Sequence, residues 1–157
     1  MAYHCVEFIL IAQPCFEKFQ SPKTADAIWM AVMAAIGYKT LDGTLNKWVA
    51  AALWLGNGAQ FWLAPKSGID LYEMKGVSKL GESLMSLWGG QALCVGTYLA
   101  ALILEKSQSE AFAYSMIMNG VAALKYALLE ADDLKAPKTG PLAWAALSAG
   151  LAYKSLN

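Results

Sequence analysis

Four side-chain amides stand inside long apolar stretches of this chain: Asn57, followed by Gly58, then Gln60, Gln91 and Asn119, followed by Gly120. An amide carries one acceptor oxygen and two N–H donors, and leaving it buried without partners costs roughly 2–7 kcal/mol. Such groups serve one of two ends. They join helices through hydrogen bonds, worth about 0.6 kcal/mol on average in a membrane, or their oxygens ligate a hard cation such as the magnesium of a chlorophyll. His4, the single imidazole, is the remaining candidate of the same kind. These five residues form the expected cofactor-binding set, with chlorophyll, carotenoid and lipid as the expected ligands.

No catalytic or metal constellation can be assembled. A haem pair, a His-based metal site or a Ser-His triad needs partners that one histidine near the N-terminus lacks. Cys5, Cys15 and Cys94 share no disulfide or metal spacing and read as small packing residues. Glu82, Glu105 and Glu110 flank expected helix ends, while Glu130, Asp132 and Asp133 read as an acidic loop beside Lys135 and Lys138. Glu7 alone is an acid within an expected span. Lys125 is the one charge well inside an apolar run, expected to snorkel or to pair with an acidic neighbour. There is no arginine, so the bidentate fork for phosphate is missing and nucleic-acid binding is not expected.

The elements that must position these residues are helices in lipid. Apolar residues make up 57% of the chain and charged ones 15%, against about 45–50% and 25% in soluble domains. Ser83 to Leu104 carries no charge and is long enough to cross about 30 Å of hydrocarbon, and Trp48 to Pro65 reaches the lower limit of about 17 residues. No wide polar stripe interrupts the segments around Leu53, Leu93 and Ala146, as a soluble bundle would require. The start lacks a basic leader and is not read as a signal peptide. The pattern predicts helices over 3–18, 25–41, 47–64, 79–105, 110–133 and 140–156, and no strands. The fold expected is all-α, an integral membrane helical bundle with about four to six transmembrane helices.

An internal match adds organisation. The stretch from Pro22 and the stretch from Pro137 align without a gap, pairing Pro22/Pro137, Lys23/Lys138, Thr24/Thr139, Trp29/Trp144, Tyr38/Tyr153, Lys39/Lys154 and Leu41/Leu156. This reads as duplication of a helix pair, giving residues 1–46 as one copy, 47–109 as a central pair and 110–157 as the second copy. The same match also suits a tandem precursor of which the first pair is an upstream tail. Lys18, Lys23, Lys66, Lys75, Lys79, Lys135 and Lys138 are expected at one face, Lys39, Lys47, Lys106 and Lys154 at the other. The Pro-Lys-Thr/Ser motifs at Pro22, Pro65 and Pro137 read as turns followed by an N-capping hydroxyl. Ser86, Gly90 and Cys94, and likewise Ala146 and Gly150, form small-residue faces for close helix approach, and Gly89-Gly90 is expected to bend its helix.

The two Asn-Gly steps superficially resemble the chlorophyll helices of light-harvesting proteins. Position 116 is Met rather than Glu and position 121 is Val rather than Arg, so the ion pair locking that fold cannot form and membership is rejected. The function expected is a non-catalytic accessory subunit of a large multi-subunit membrane complex, in contact with other membrane subunits and lipid. A photosystem or antenna is favoured, with the thylakoid as the expected membrane and the mitochondrial inner membrane second. The alternative is a small transporter or channel resting on Lys125.

Overall fold

The computed structural model describes residues 23–157, and every regular element among them is helical. The order is α1 (Lys23–Leu41), α2 (Lys47–Leu63), α3 (Pro65–Leu71), α4 (Lys79–Ile103), α5 (Gln108–Lys125) and α6 (Thr139–Leu156). A single π turn, Tyr126–Glu130, continues α5. Five of the expected helices are present with ends shifted by three residues or fewer, the π turn counted as the end of the one expected over 110–133. The first, over 3–18, lies outside the described residues. α3 was not foreseen, because seven residues with Gly68 and Asp70 among them show no apolar period.

The helix starts follow capping chemistry. Asn46 accepts from the Trp48 amide at 3.0 Å, Ser78 accepts from the Gly81 amide, and Ser107 with Glu110 forms a reciprocal capping box. The Pro-Lys-Thr/Ser reading needs correction. Pro65 is the first residue of α3 rather than part of a preceding turn, and Ser67 donates back to the Ala64 carbonyl at 2.7 Å from inside the first turn. Thr139 already belongs to α6, whose N-cap is Lys138. A proline's fixed φ and missing N–H suit the first helical position, so at Pro65 the motif starts a helix, whereas Pro137 stays in the connection before α6 and Pro22 lies outside the described residues. Asp42-Gly43 makes the expected turn, with Gly43 at φ +74°. Thr44 donates its hydroxyl and amide to the Asp42 carboxylate, which those bonds hold below its ordinary pKa.

The helices form a row in which each packs mainly on its neighbour: α2 on α4, α4 on α5, α5 on α6, with α1 touching α2 lightly. Small residues at the crossings make this possible. A Cβ added to Gly89 would lie 2.4 Å from the Trp62 amide nitrogen and 2.9 Å from the Gly58 carbonyl, so α2 and α4 meet backbone to backbone. A Cβ on the adjacent Gly90 would lie 2.9 Å from Ala122 of α5. The expected Ser86, Gly90 and Cys94 stripe therefore lies in contact with α5, where the Ser115 hydroxyl donates to the Cys94 carbonyl at 3.1 Å. On α6 the expected stripe is corrected. Ala145, Ser148 and Ala152 are buried, whereas Ala146 and Gly150 point outward.

α3 folds back under α2, where Phe61, 1% exposed, packs on Tyr72 and Trp88 with ring centroids 6.3 and 5.3 Å away. One end of the row gathers residues 64–78 and 131–138, linked by Lys79–Asp133 at 2.6 Å and Lys66–Glu82 at 4.0 Å. Residues 42–46 and 104–107 lie at the other end. Two helices, α4 at 25 residues and Gln108–Glu130 at 23, are long and apolar enough to cross a membrane.

The crossings give a paired prediction. Gly89→Ala must push two backbones apart and should destabilise the chain by about 1–3 kcal/mol, the range for overpacking. Gly56→Ala, whose new Cβ meets nothing within 4 Å, should instead stabilise α2 by roughly 0.5–1 kcal/mol through helix propensity. Thermal denaturation in mild detergent reads both, and equal shifts would refute the backbone contact.

Candidate functional site

Lys125 decides where the polar chemistry of this row lies. It is the last residue of α5, and its side chain is 19% exposed, which requires a countercharge. Glu130 supplies it, with a side chain 17% exposed and paired to Lys125. In an α-helix, residues five apart are rotated about 140° past a full turn and point to different sides. The π turn removes this mismatch, because an i→i+5 ring takes one more residue per turn and brings position 130 back beneath position 125. Its hydrogen bond runs from the Ala131 amide to the Tyr126 carbonyl at 2.9 Å. Ala127 and Ala131, both fully buried, let the widened turn sit against its neighbours.

α4 completes the cluster. Ser83 and Ser86, three residues apart and buried, direct their hydroxyls to the Glu130 carboxylate. Ser83 donates to one oxygen, and Ser86 lies 2.9 Å from the other. Lys125 Nζ donates to Ser86 Oγ at 2.6 Å. Ser86 Oγ also lies 3.3 Å from the Trp62 carbonyl, one of the last in α2 and without an intrahelical partner. A hydroxyl has one proton, so Ser86 donates to Glu130 or to Trp62, not to both at once. The Lys125 ammonium stands 5.7 Å from the centre of the Trp62 ring, within cation–π range. One lysine thus ties together the ends of α2 and α5 and the first half of α4.

Beside the pair lies a cavity of about 140 Å³, lined by Lys79, Glu82, Ser83, Ser86, Glu130 and Asp133. That space is large enough to hold water. Carboxylate, hydroxyls and ammonium in this arrangement can pass a proton or hold a small polar group. A second cavity, about 230 Å³ and lined by Thr40, Lys47, Leu99, Leu102 and Ile103, opens at the opposite end. Both fall below the roughly 300–1,000 Å³ of ordinary small-molecule pockets.

The expected amides divide. Gln91 and Asn119 meet, with Gln91 Nε2 donating to Asn119 Oδ1 at 3.1 Å. Asn119 Nδ2 donates onward to Ser148 Oγ at 3.4 Å, so one buried amide joins α4, α5 and α6. Both ends of Asn119 are occupied, which supports the joining role over ligation. Asn57 is half-buried and Gln60 exposed, and neither makes a side-chain hydrogen bond among the described residues. His4 lies outside them.

The residues that sequence reasoning missed are Glu130, Ser83 and Ser86. The sequence groups Glu130 with Asp132 and Asp133 in one acidic loop; the structure corrects this by turning its carboxylate inward. The available signal is a lone lysine followed five residues later by a glutamate that closes an apolar run, a spacing that α-periodicity discards. Comparison of the chain with protein-family models, curated protein sequences and solved structures gives no match.

Removing one member of the pair leaves the other charged and enclosed, so Lys125→Met or Glu130→Gln should each cost about 3–5 kcal/mol. The double variant Lys125→Met/Glu130→Leu should recover most of that loss, and additive single effects in thermal unfolding would show that the pair is not coupled. Asn119→Leu should cost roughly 1 kcal/mol, two average interhelical bonds, measured the same way.

Proposed function

We propose that the chain is an integral-membrane, non-catalytic accessory subunit of a large multi-subunit complex, its helices standing in the bilayer between lipid and other subunits. The observation that carries this is the poor internal coverage of its longest helices. Within the most apolar window of each, 44% is buried inside the chain for α4 and 28% for Gln108–Glu130. A central helix of a water-soluble bundle is covered over most of its surface. Here Phe112, Ile117, Val121, Leu124 and Leu128 face outward along α5, an apolar surface that calls for lipid or a partner.

We extend the proposal to a photosynthetic complex of the thylakoid, in which Asn57 and Gln60 are the amides free to meet a pigment or a neighbouring subunit. A second reading, a small transporter, is favoured by the Lys125–Glu130 pair beside a water-sized cavity, since ionisable groups within spans mark ion and proton paths.

The tests separate the two. Under the subunit reading, the chain resists alkaline carbonate extraction from membranes and migrates with a large complex on a native gel. Release by carbonate would overturn the membrane reading itself. Visible absorption that falls after Asn57→Leu or Gln60→Leu supports pigment contact, whereas a colourless complex removes it. Proton or ion flux in liposomes abolished by Lys125→Met would move the assignment to transport.

A further inference from the structure

α1 and α6 share residues on the sides turned away from the other described helices. Ala31, Ala34, Tyr38 and Leu41 follow a three-four-three spacing, which places them on one stripe of α1. Their counterparts on α6, Ala146, Ala149, Tyr153 and Leu156, are identical residue for residue. All eight are exposed, the two tyrosines at 68% and 72% and the two leucines at 81% and 49%.

The inward faces tell the opposite story. Buried Ser148 and Ala152 of α6 stand opposite Met33 and Gly37 in the alignment, both of which are at least half-buried in α1. Packing against a helix neighbour thus accepts different residues in the two places, as each neighbour is different. Among the positions whose burial is described, every identical one faces away, on the stripe and at Lys39/Lys154, while the exposed pairs beside it, Ile28/Ala143, Val32/Leu147 and Ala35/Gly150, differ. Packing among the described helices cannot impose that identity, so the shared requirement comes from outside them, and it is the same for both helices.

We propose that these are two copies of one docking seam, and that the occupant of each is the matching seam of a second copy of this chain, α1 of one molecule against α6 of the next. The proposal rests on the membrane-subunit reading and names its partner. Three features favour this occupant. Residues repeating at three and four pack in a left-handed, nearly parallel crossing, in which equivalent layers of two like helices stand opposite one another. α1 and α6 start at the same end of the row, so in copies sharing one membrane orientation they run parallel and in register, alanine facing alanine and tyrosine facing tyrosine. Each molecule also carries the seam on both the first and the last of its described helices, so one kind of contact satisfies both, where a foreign partner would have to bind twice. The alanine layers permit close approach. Tyr38-Lys39 and Tyr153-Lys154, at the helix ends, suit the headgroup level, where an amphipathic ring and a snorkelling lysine are both accommodated.

The test uses two differently tagged full-length copies expressed in one membrane, one carrying Ala34→Cys and the other Ala149→Cys. Mild oxidation should link them into a dimer, and the off-seam pair Ala52→Cys with Ala149→Cys should give none. Ala146→Leu with Ala149→Leu, which changes no internal contact, should abolish co-purification of the two tagged copies while leaving carbonate resistance intact. A chain that stays in the membrane but gives no Ala34–Ala149 link overturns the seam and spares the subunit reading. Linkage of both cysteines to a different protein equally overturns the second copy as occupant. Loss of membrane retention in the parent chain instead sinks the reading on which the seam rests.

Discussion

The arrangement depends on two neighbouring glycines facing two different helices. Gly89 admits the backbone of α2 and Gly90 admits Ala122 of α5, so α4 serves as the shared wall of both contacts. With side chains at these positions the helices would stand farther apart. Ser86 could then not reach both the Trp62 carbonyl and the Glu130 carboxylate, nor Gln91 reach Asn119. The polar clusters are thus consequences of apolar, small-residue packing. They fix which way the helices face once proximity is set, whereas the glycines fix how near they come.

The helices were legible in the sequence because uncharged runs and their Pro, Asn and Ser boundaries are local signals. α2, α4, α5 and α6 needed nothing from elsewhere in the chain to be recognised. α3 was not legible, since seven residues are too few for a period and its reason for being helical is tertiary: Gly68 lets it close over Phe61. Gly89-Gly90 was read as a weak point for bending, and its use in contact with two neighbours became visible only with those neighbours placed.

The candidate site was half legible. Gln91 and Asn119 announced themselves as polar groups in apolar surroundings and do meet. Lys125 stands out for the same reason, with snorkelling or pairing with an acid as the expectation, but its partner is invisible in the sequence. Glu130 belongs to Lys125 only through a turn wound differently from the rest of its helix. Ser83 and Ser86 are ordinary residues in helix sequence, and nothing in their own neighbourhood marks them as carboxylate donors. Sequence periodicity finds groups within one regular element; it loses groups whose meeting requires an irregularity.

That irregularity reaches beyond the ion pair. One additional residue in a helical turn rotates everything downstream by about 100° around the axis. Residues 131–138 leave α5 on the bearing that Tyr126–Glu130 sets, and α6 descends along the side of α5 to which they lead. Wound as an unbroken α-helix, the same residues would deliver α6 to a different flank, away from the face where Asn119 awaits Ser148. Five residues thereby aim α6.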